Sequence, residues 1–136
     1  VACLSTKKAS VFMKKGSHGS TYGGNPLAMS VGYEVLKIIS NKNFLNKVDK
    51  VSRYFWKKLK DLEKSFDTIE EIRGAGLLLG IKTKINNLDF SEKLKNQKLL
   101  NVPAADNTVR LAPPLIVSHK DIDKSLSIIK SVLKEL

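Results

Sequence analysis

The segment His18-Gly19-Ser20-Thr21-Tyr22-Gly23-Gly24-Asn25-Pro26 places two hydroxyls and three glycines directly before the start of a helix. Free N–H groups and the positive end of a helix dipole attract anions, phosphate among them. Ser20 and Thr21 add hydroxyl donors to that environment. The same residues also describe a tight loop whose glycines simply permit positive φ. The segment is not the Gly-x-x-x-x-Gly-Lys-Ser/Thr pattern of a nucleotide-binding loop. On these residues alone, an anion-binding loop and a plain turn both stay open.

Other chemistries are bounded by composition. Cys3 is the only cysteine, so no internal disulfide and no cysteine-rich zinc site can form, and a reducing intracellular compartment is expected. His18 and His119 are the only histidines and have no partner at ligand spacing, so no metal is expected. No apolar run approaches the roughly 20 residues that span a bilayer. The charges at Lys7-Lys8 follow the apolar stretch Ala2-Cys3-Leu4, the wrong order for a signal peptide. The net charge of +11 raises the possibility of a polyanionic partner, such as nucleic acid or a membrane surface. The excess is nearly all lysine, however, with arginine only at 53, 73 and 110. Arginine supplies bidentate phosphate and guanine contacts, so scattered lysines describe a solvated surface rather than a nucleic-acid reader.

The elements that must position these residues follow from periodicity. Leu27, Val31, Val35 and Ile38-Ile39 recur on one helical face, with Pro26 suited to the first helical position and Asn25 to the cap. After the break Ser40-Asn41-Lys42-Asn43, the residues Phe44, Val48, Val51, Phe55, Leu59 and Leu62 form the buried stripe of a second helix, with Trp56 at its edge as a core or interface anchor. Ile69 to Gly76 leads into Leu77-Leu78-Leu79-Gly80-Ile81, a buried strand. A short helix is expected over Ser91 to Lys98. Two strands, Leu99 to Pro103 and Thr108 to Leu111, are joined by the turn Ala104-Ala105-Asp106-Asn107. Pro113-Pro114 ends the second of these strands, and Ser118 with Asp121 caps a final helix burying Ile122, Leu126, Ile129, Leu133 and Leu136.

The run Gly16 to Ala28 resembles a signature of the class III pyridoxal-phosphate aminotransferases, above all of members acting on acetylornithine. Ile72-Arg73-Gly74-Ala75-Gly76-Leu77-Leu78-Leu79-Gly80-Ile81 is similar to that family's Arg-Gly-x-Gly-Leu-x-x-Gly strand. Val102 to Leu115 is similar to its C-terminal substrate strand, and Ala2 to Thr6 to the stretch after a glycine-rich loop. Together these motifs cover the whole chain.

The resemblance implies an α/β fold, the C-terminal part of a fold-type I pyridoxal-phosphate-dependent transferase. Residues 1–40 would end the large cofactor-binding domain, 41–67 would form a connecting helix, and 68–136 would form the small C-terminal α/β domain. It implies transfer of the δ-amino group of N-acetylornithine to 2-oxoglutarate, in arginine biosynthesis. Relatives acting on ornithine, succinylornithine or 4-aminobutyrate share the motifs, and a basic nucleic-acid-binding module is the alternative of another class. Thr21 matches the threonine that binds the cofactor phosphate across a homodimer, and Ser20 the position contacting the acylated substrate. Arg110 matches an arginine pairing with a substrate carboxylate, for which a guanidinium fork is well suited; a structural ion pair is the other reading. Gly23 and Gly24 would let the loop pass near the partner chain. Arg73 is expected to be structural, capping strand carbonyls. His18 is expected to stabilise its loop by a hydrogen bond, and Asp106 and Asn107 to serve their turn. The Schiff-base lysine and the aspartate facing the pyridine nitrogen are expected upstream of Val1, since Lys7, Lys8, Lys14 and Lys15 lie on the wrong side of the matching region. The chain alone would then be inert, and the intact protein a cytoplasmic homodimer acting on small amino-acid and 2-oxo-acid substrates, without nucleic acid or membrane.

Overall fold

The apolar stripe from Phe44 to Leu62 forms a long helix, α3 (Lys42–Ser65), capped by the Asn41 side chain, which accepts from the N–H groups of Asn43 and Phe44. Its inner face buries Phe55 and Leu59, with Val48, Val51, Trp56 and Leu62 packed beside them. The computed structural model describes residues 4–136. Val1, Ala2 and the single cysteine, Cys3, lie outside the described residues. The chain divides into two units, Val1–Ser40 and Asn41–Leu136.

The second unit is a four-stranded antiparallel sheet covered on one face by helices. The strands are β1 (Ile69–Ala75), β2 (Leu78–Thr83), β3 (Val102–Ala104) and β4 (Thr108–Leu111), in the order β1-β2-β4-β3. α4 (Asn87–Asn96) and α5 (His119–Lys134) pack with α3 against it. The registers Ile72↔Ile81 and Ile81↔Val109 align three residues in one row, all buried against the helices. Strand side chains alternate between faces, so the neighbouring row, Arg73, Gly80 and Arg110, lies on the other face of the sheet. Phe90, Leu94, Ile122, Ile129 and Val132 complete the core between the helices and the sheet.

Several boundaries differ from the sequence expectation. The strand expected over residues 77–81 runs Leu78–Thr83 with Leu78 exposed, and α5 ends at Lys134, which leaves Leu136 outside it and exposed rather than buried. Ile69 to Ala75 is a full strand, because a register irregularity between Ile69 and Glu71 turns the charged Glu70-Glu71 pair outward and hides the alternation. α4 begins at Asn87, four residues before Ser91, because the Asn86 side chain accepts from the N–H of Leu88 and caps it. Leu99 and Leu100 are not in a strand; Lys98 takes φ +64° and the Leu99 N–H returns to the Leu94 carbonyl at 2.9 Å, a helix ending that leaves β3 only Val102–Ala104.

The first unit holds a short helix, α1 (Lys7–Ser10), capped by Thr6, and α2 (Pro26–Ile39). Pro26 opens α2 and the Asn25 carboxamide oxygen accepts from the Ala28 N–H at 3.1 Å, as the sequence indicates. Among the described residues of this unit none is buried, and Leu27, Val31, Val35 and Ile38 of α2 are exposed. Among the described residues no helix is long and apolar enough to cross a membrane.

Candidate functional site

Ser20 and Thr21 stand in a double turn at the start of α2. The Ser20 carbonyl accepts from the Gly23 N–H at 3.1 Å, and the Tyr22 carbonyl from the Asn25 N–H at 3.2 Å. Gly24, at φ +75°, is the third residue of that second turn, in a region that favours glycine. Thr21 is thereby held at the tip of the first turn, exposed, with its hydroxyl and N–H making no hydrogen bond among the described residues. Two free donors beside the N-terminus of a 14-residue helix fit a phosphate monoester. Loop hydrogen bonding falls to Ser17 and not to His18: the Ser17 hydroxyl accepts from the Lys14 N–H at 2.9 Å. The expected hydrogen bond of His18 is not present among the described residues, because the short Ser17 side chain already satisfies the backbone there.

Arg110 lies in the second unit, on the sheet face away from the helices. It lines a cavity of about 550 Å³ with Arg73, Leu78, Gly80, Ala104 and Thr108. Three cations occupy this sheet face, and two of them are paired. Arg73 Nη1 donates to Asp106 Oδ2 and Nη2 to Thr108 Oγ1, each at 2.6 Å. Lys82 reaches Glu70 Oε1 at 2.8 Å and Asp106 Oδ1 at 3.4 Å. These contacts act on the ionisation of both groups. The Arg73 hydrogen bond, helped by the Lys82 charge, holds the Asp106 carboxyl below the usual carboxylate range. The hydrogen bond to Glu70 raises the Lys82 ammonium above its ordinary value. Arg110 is exposed and has no carboxylate partner among the described residues.

Arg73 is structural, though not through strand carbonyls: its partners are side chains 33 and 35 residues away. Asp106 and Asn107 do form the turn, at φ +56° and +49°, a conformation that Asn and Asp tolerate. Asn107 does more than turn the chain. Its Nδ2 donates to the carbonyls of Thr83 and Ile85, and its Oδ1 accepts from the Asn87 N–H at 2.9 Å. Asn87 Nδ2 in turn donates to the Ala104 and Thr108 carbonyls. This tether fixes the β3–β4 hairpin that carries Arg110, and the sequence cue to it is the Asn86-Asn87 pair at the start of α4. Trp56 packs at the edge of the core with Lys60 above its ring, 5.6 Å from the centroid. No group of three or more metal-ligating side chains occurs among the described residues.

Comparison with known proteins places this arrangement in a family. The model of the class III aminotransferases matches residues 1–133. The acetylornithine aminotransferase of Agrobacterium fabrum is 43% identical over 136 residues, covering 99% of this chain and 34% of that protein. The chain therefore spans about a third of the length of the curated relatives it matches. The structure of the Plasmodium falciparum ornithine delta-aminotransferase superposes with a TM-score of 0.81 at 36% identity, covering 97% of this chain and 35% of the other. The ornithine aminotransferase of Toxoplasma gondii, solved with partial occupancy of pyridoxal phosphate at its active site, gives 0.74 at 33% identity, over 89% of this chain and 30% of the other. The sheet, its helices and the turn before α2 are thus a fragment of the aminotransferase fold, and the chain belongs to the class III aminotransferases, a pyridoxal-phosphate-dependent family.

Proposed function

We propose that the intact protein is an acetylornithine aminotransferase that moves the δ-amino group of N-acetylornithine to 2-oxoglutarate. In this reading residues 1–40 end the large cofactor-binding domain, 41–67 connect the domains, and 68–136 are the small domain. Within the structure the observation that carries the reading is Arg110, a guanidinium without a carboxylate partner among the described residues, set in a cavity on a sheet face whose other two cations are paired. The 43% identity to a protein of that name supports the acylated substrate.

Thr21 is assigned to the cofactor phosphate through its hydroxyl and N–H, and Ser20 to the acyl end of the substrate. Arg110 binds and orients a substrate carboxylate by a bidentate contact. Pyridoxal phosphate, when bound, supplies the electron sink for amino transfer. The lysine that anchors it and the carboxylate facing its ring nitrogen are assigned to residues outside these 136, so the chain alone is inactive. A cytoplasmic homodimer sharing its sites is part of the proposal; the exposed apolar side chains of α2, Leu27, Val31 and Val35 among them, support a subunit contact there.

The test is made on the intact protein. Amino transfer from N-acetylornithine should exceed transfer from ornithine, and the opposite order overturns the substrate assignment. Arg110→Met should raise KM for the carboxylate substrates by roughly 10- to 100-fold, the value of a hydrogen-bonded charge. Thr21→Ala should weaken binding of pyridoxal phosphate about tenfold, read from cofactor absorbance, with KM for substrates little changed.

A further inference from the structure

The row Arg73, Gly80, Arg110 places two guanidiniums on the two strands flanking β2, with no side chain between them. Neighbouring strands lie about 4.8 Å apart, so the two arginine backbones are separated by about 10 Å, within the joint reach of two long side chains. Both line the same cavity of about 550 Å³. Arg73 crosses β2 beside Gly80, where the tight neighbour is the Thr108 methyl. A methyl group there would come within 2.8 Å of Thr108 Cγ2 and 3.6 Å of Arg73 Cγ, so the Arg73 stem lies over the bare backbone. Beyond it, the guanidinium is drawn along β4, away from Arg110. Asp106 and Thr108 hold it there at 2.6 Å, while the Thr108 hydroxyl donates to the Asp106 carbonyl at 2.9 Å. Thr108 is only 4% exposed, which fixes its hydroxyl as a firm second acceptor.

We propose that Asp106 parks Arg73. By holding that guanidinium along β4 it leaves Arg110 as the single open cation of the cavity among the described residues, and so sets the cavity's preference for a substrate end bearing one carboxylate. Released from Asp106, Arg73 swings back along its row and presents a second fork beside Arg110. The cavity then favours a dicarboxylate. Asp106 touches no substrate; it is a specificity-determining residue acting through Arg73. The inference rests on the assignment of Arg110 to a substrate carboxylate.

The experiment is isothermal titration of the intact, cofactor-loaded protein with glutarate and valerate, acids of equal chain length that differ in the second carboxylate. D106N keeps a residue that accepts positive φ and removes the charge. It should tighten glutarate relative to valerate by about tenfold, the effect of one added ion pair of about 1.4 kcal/mol. The double variant D106N/R73M should return the ratio to that of the unmutated protein. T108V removes the other acceptor, with the loss of the Thr108 hydroxyl's bond to the Asp106 carbonyl, keeps both positive-φ turn residues and should shift the ratio the same way, so the proposal stays testable even where D106N does not fold. A purely structural role for Asp106 would weaken both probes alike. A ratio unchanged in D106N and T108V, or a shift that survives R73M, overturns the proposal. R110M separates this from the parent reading: if it binds both probes as the unmutated protein does, the carboxylate assignment itself fails. If R110M loses valerate while the D106N and T108V ratios stay unchanged, only the parking of Arg73 is wrong.

Discussion

At the residue scale, what a side chain can do here is decided by which neighbours have already claimed it. Arg73, Lys82 and Arg110 carry the same charge on one sheet face, yet only Arg110 is left without a carboxylate among the described residues. The motif resemblance singles out Arg110, Thr21 and Ser20, but it could not show the contacts that separate Arg110 from Arg73. Those contacts join residues more than 30 positions apart, and no local pattern encodes them. Asp106 also makes the clamp sensitive to acid. A carboxyl whose folded-state pKa is depressed adds stability that is present above its unfolded pKa and lost as pH falls through the folded value. The stability difference between the unmutated protein and D106N should therefore be full at neutral pH and shrink as pH drops below about 4. Urea unfolding of both proteins along a pH series checks this, and a difference that does not vary with pH contradicts it.

At the element scale, legibility tracked how local the cause was. α3 and α5 were readable because a stripe at spacings of three and four fixes a buried face, and Asn25, Pro26, Ser118 and Asp121 act within one helical turn. β1 was not readable as a strand, because its irregular register places Glu70 and Glu71 together on the exposed side. The extent of α4 was hidden for a related reason. Asn86 and Asn87 have the composition of a turn, while one caps the helix and the other ties it to the β3–β4 hairpin. The capping box of α5 offers a clean measurement. The Ser118 hydroxyl accepts from the Asp121 N–H, and the Asp121 carboxylate accepts from the Ser118 N–H. Ser118→Ala should cost about 1 kcal/mol, seen as a lower urea midpoint at unchanged slope.

At the scale of the whole molecule the two units differ in what holds them. Asn41–Leu136 has a core of its own, with Leu59, Ile81, Phe90, Leu94, Val109, Ile129 and Val132 fully enclosed. The described residues of the first unit have no buried side chain. Hydrogen exchange of this chain should therefore show the slowest amides at Ile81 and Val109, on the two central strands, while amides of α2 exchange near the rate of local fraying. Strong protection of α2 in the monomeric chain would contradict this. Motif resemblance made the division at Ser40 an expectation, but the enclosure of the second unit comes from contacts between elements far apart in sequence.

The sheet register bears on which changes of length the chain can survive. Arg110 faces the cavity through its pairing with Gly80, and the tight turn after Ala104 sets β3 beside it, Ala104 opposite Thr108 and Val102 opposite Arg110. With β4 held by β2, gain or loss of a single residue within that turn would shift the edge strand β3 by one against β4 and turn its side chains to the opposite face beside Arg110. The loop from Ala112 to Val117 connects a strand to a helix without setting any strand pairing. Natural variation in length should gather there and leave the β3–β4 turn alone, which makes that hairpin a ruler as well as a support.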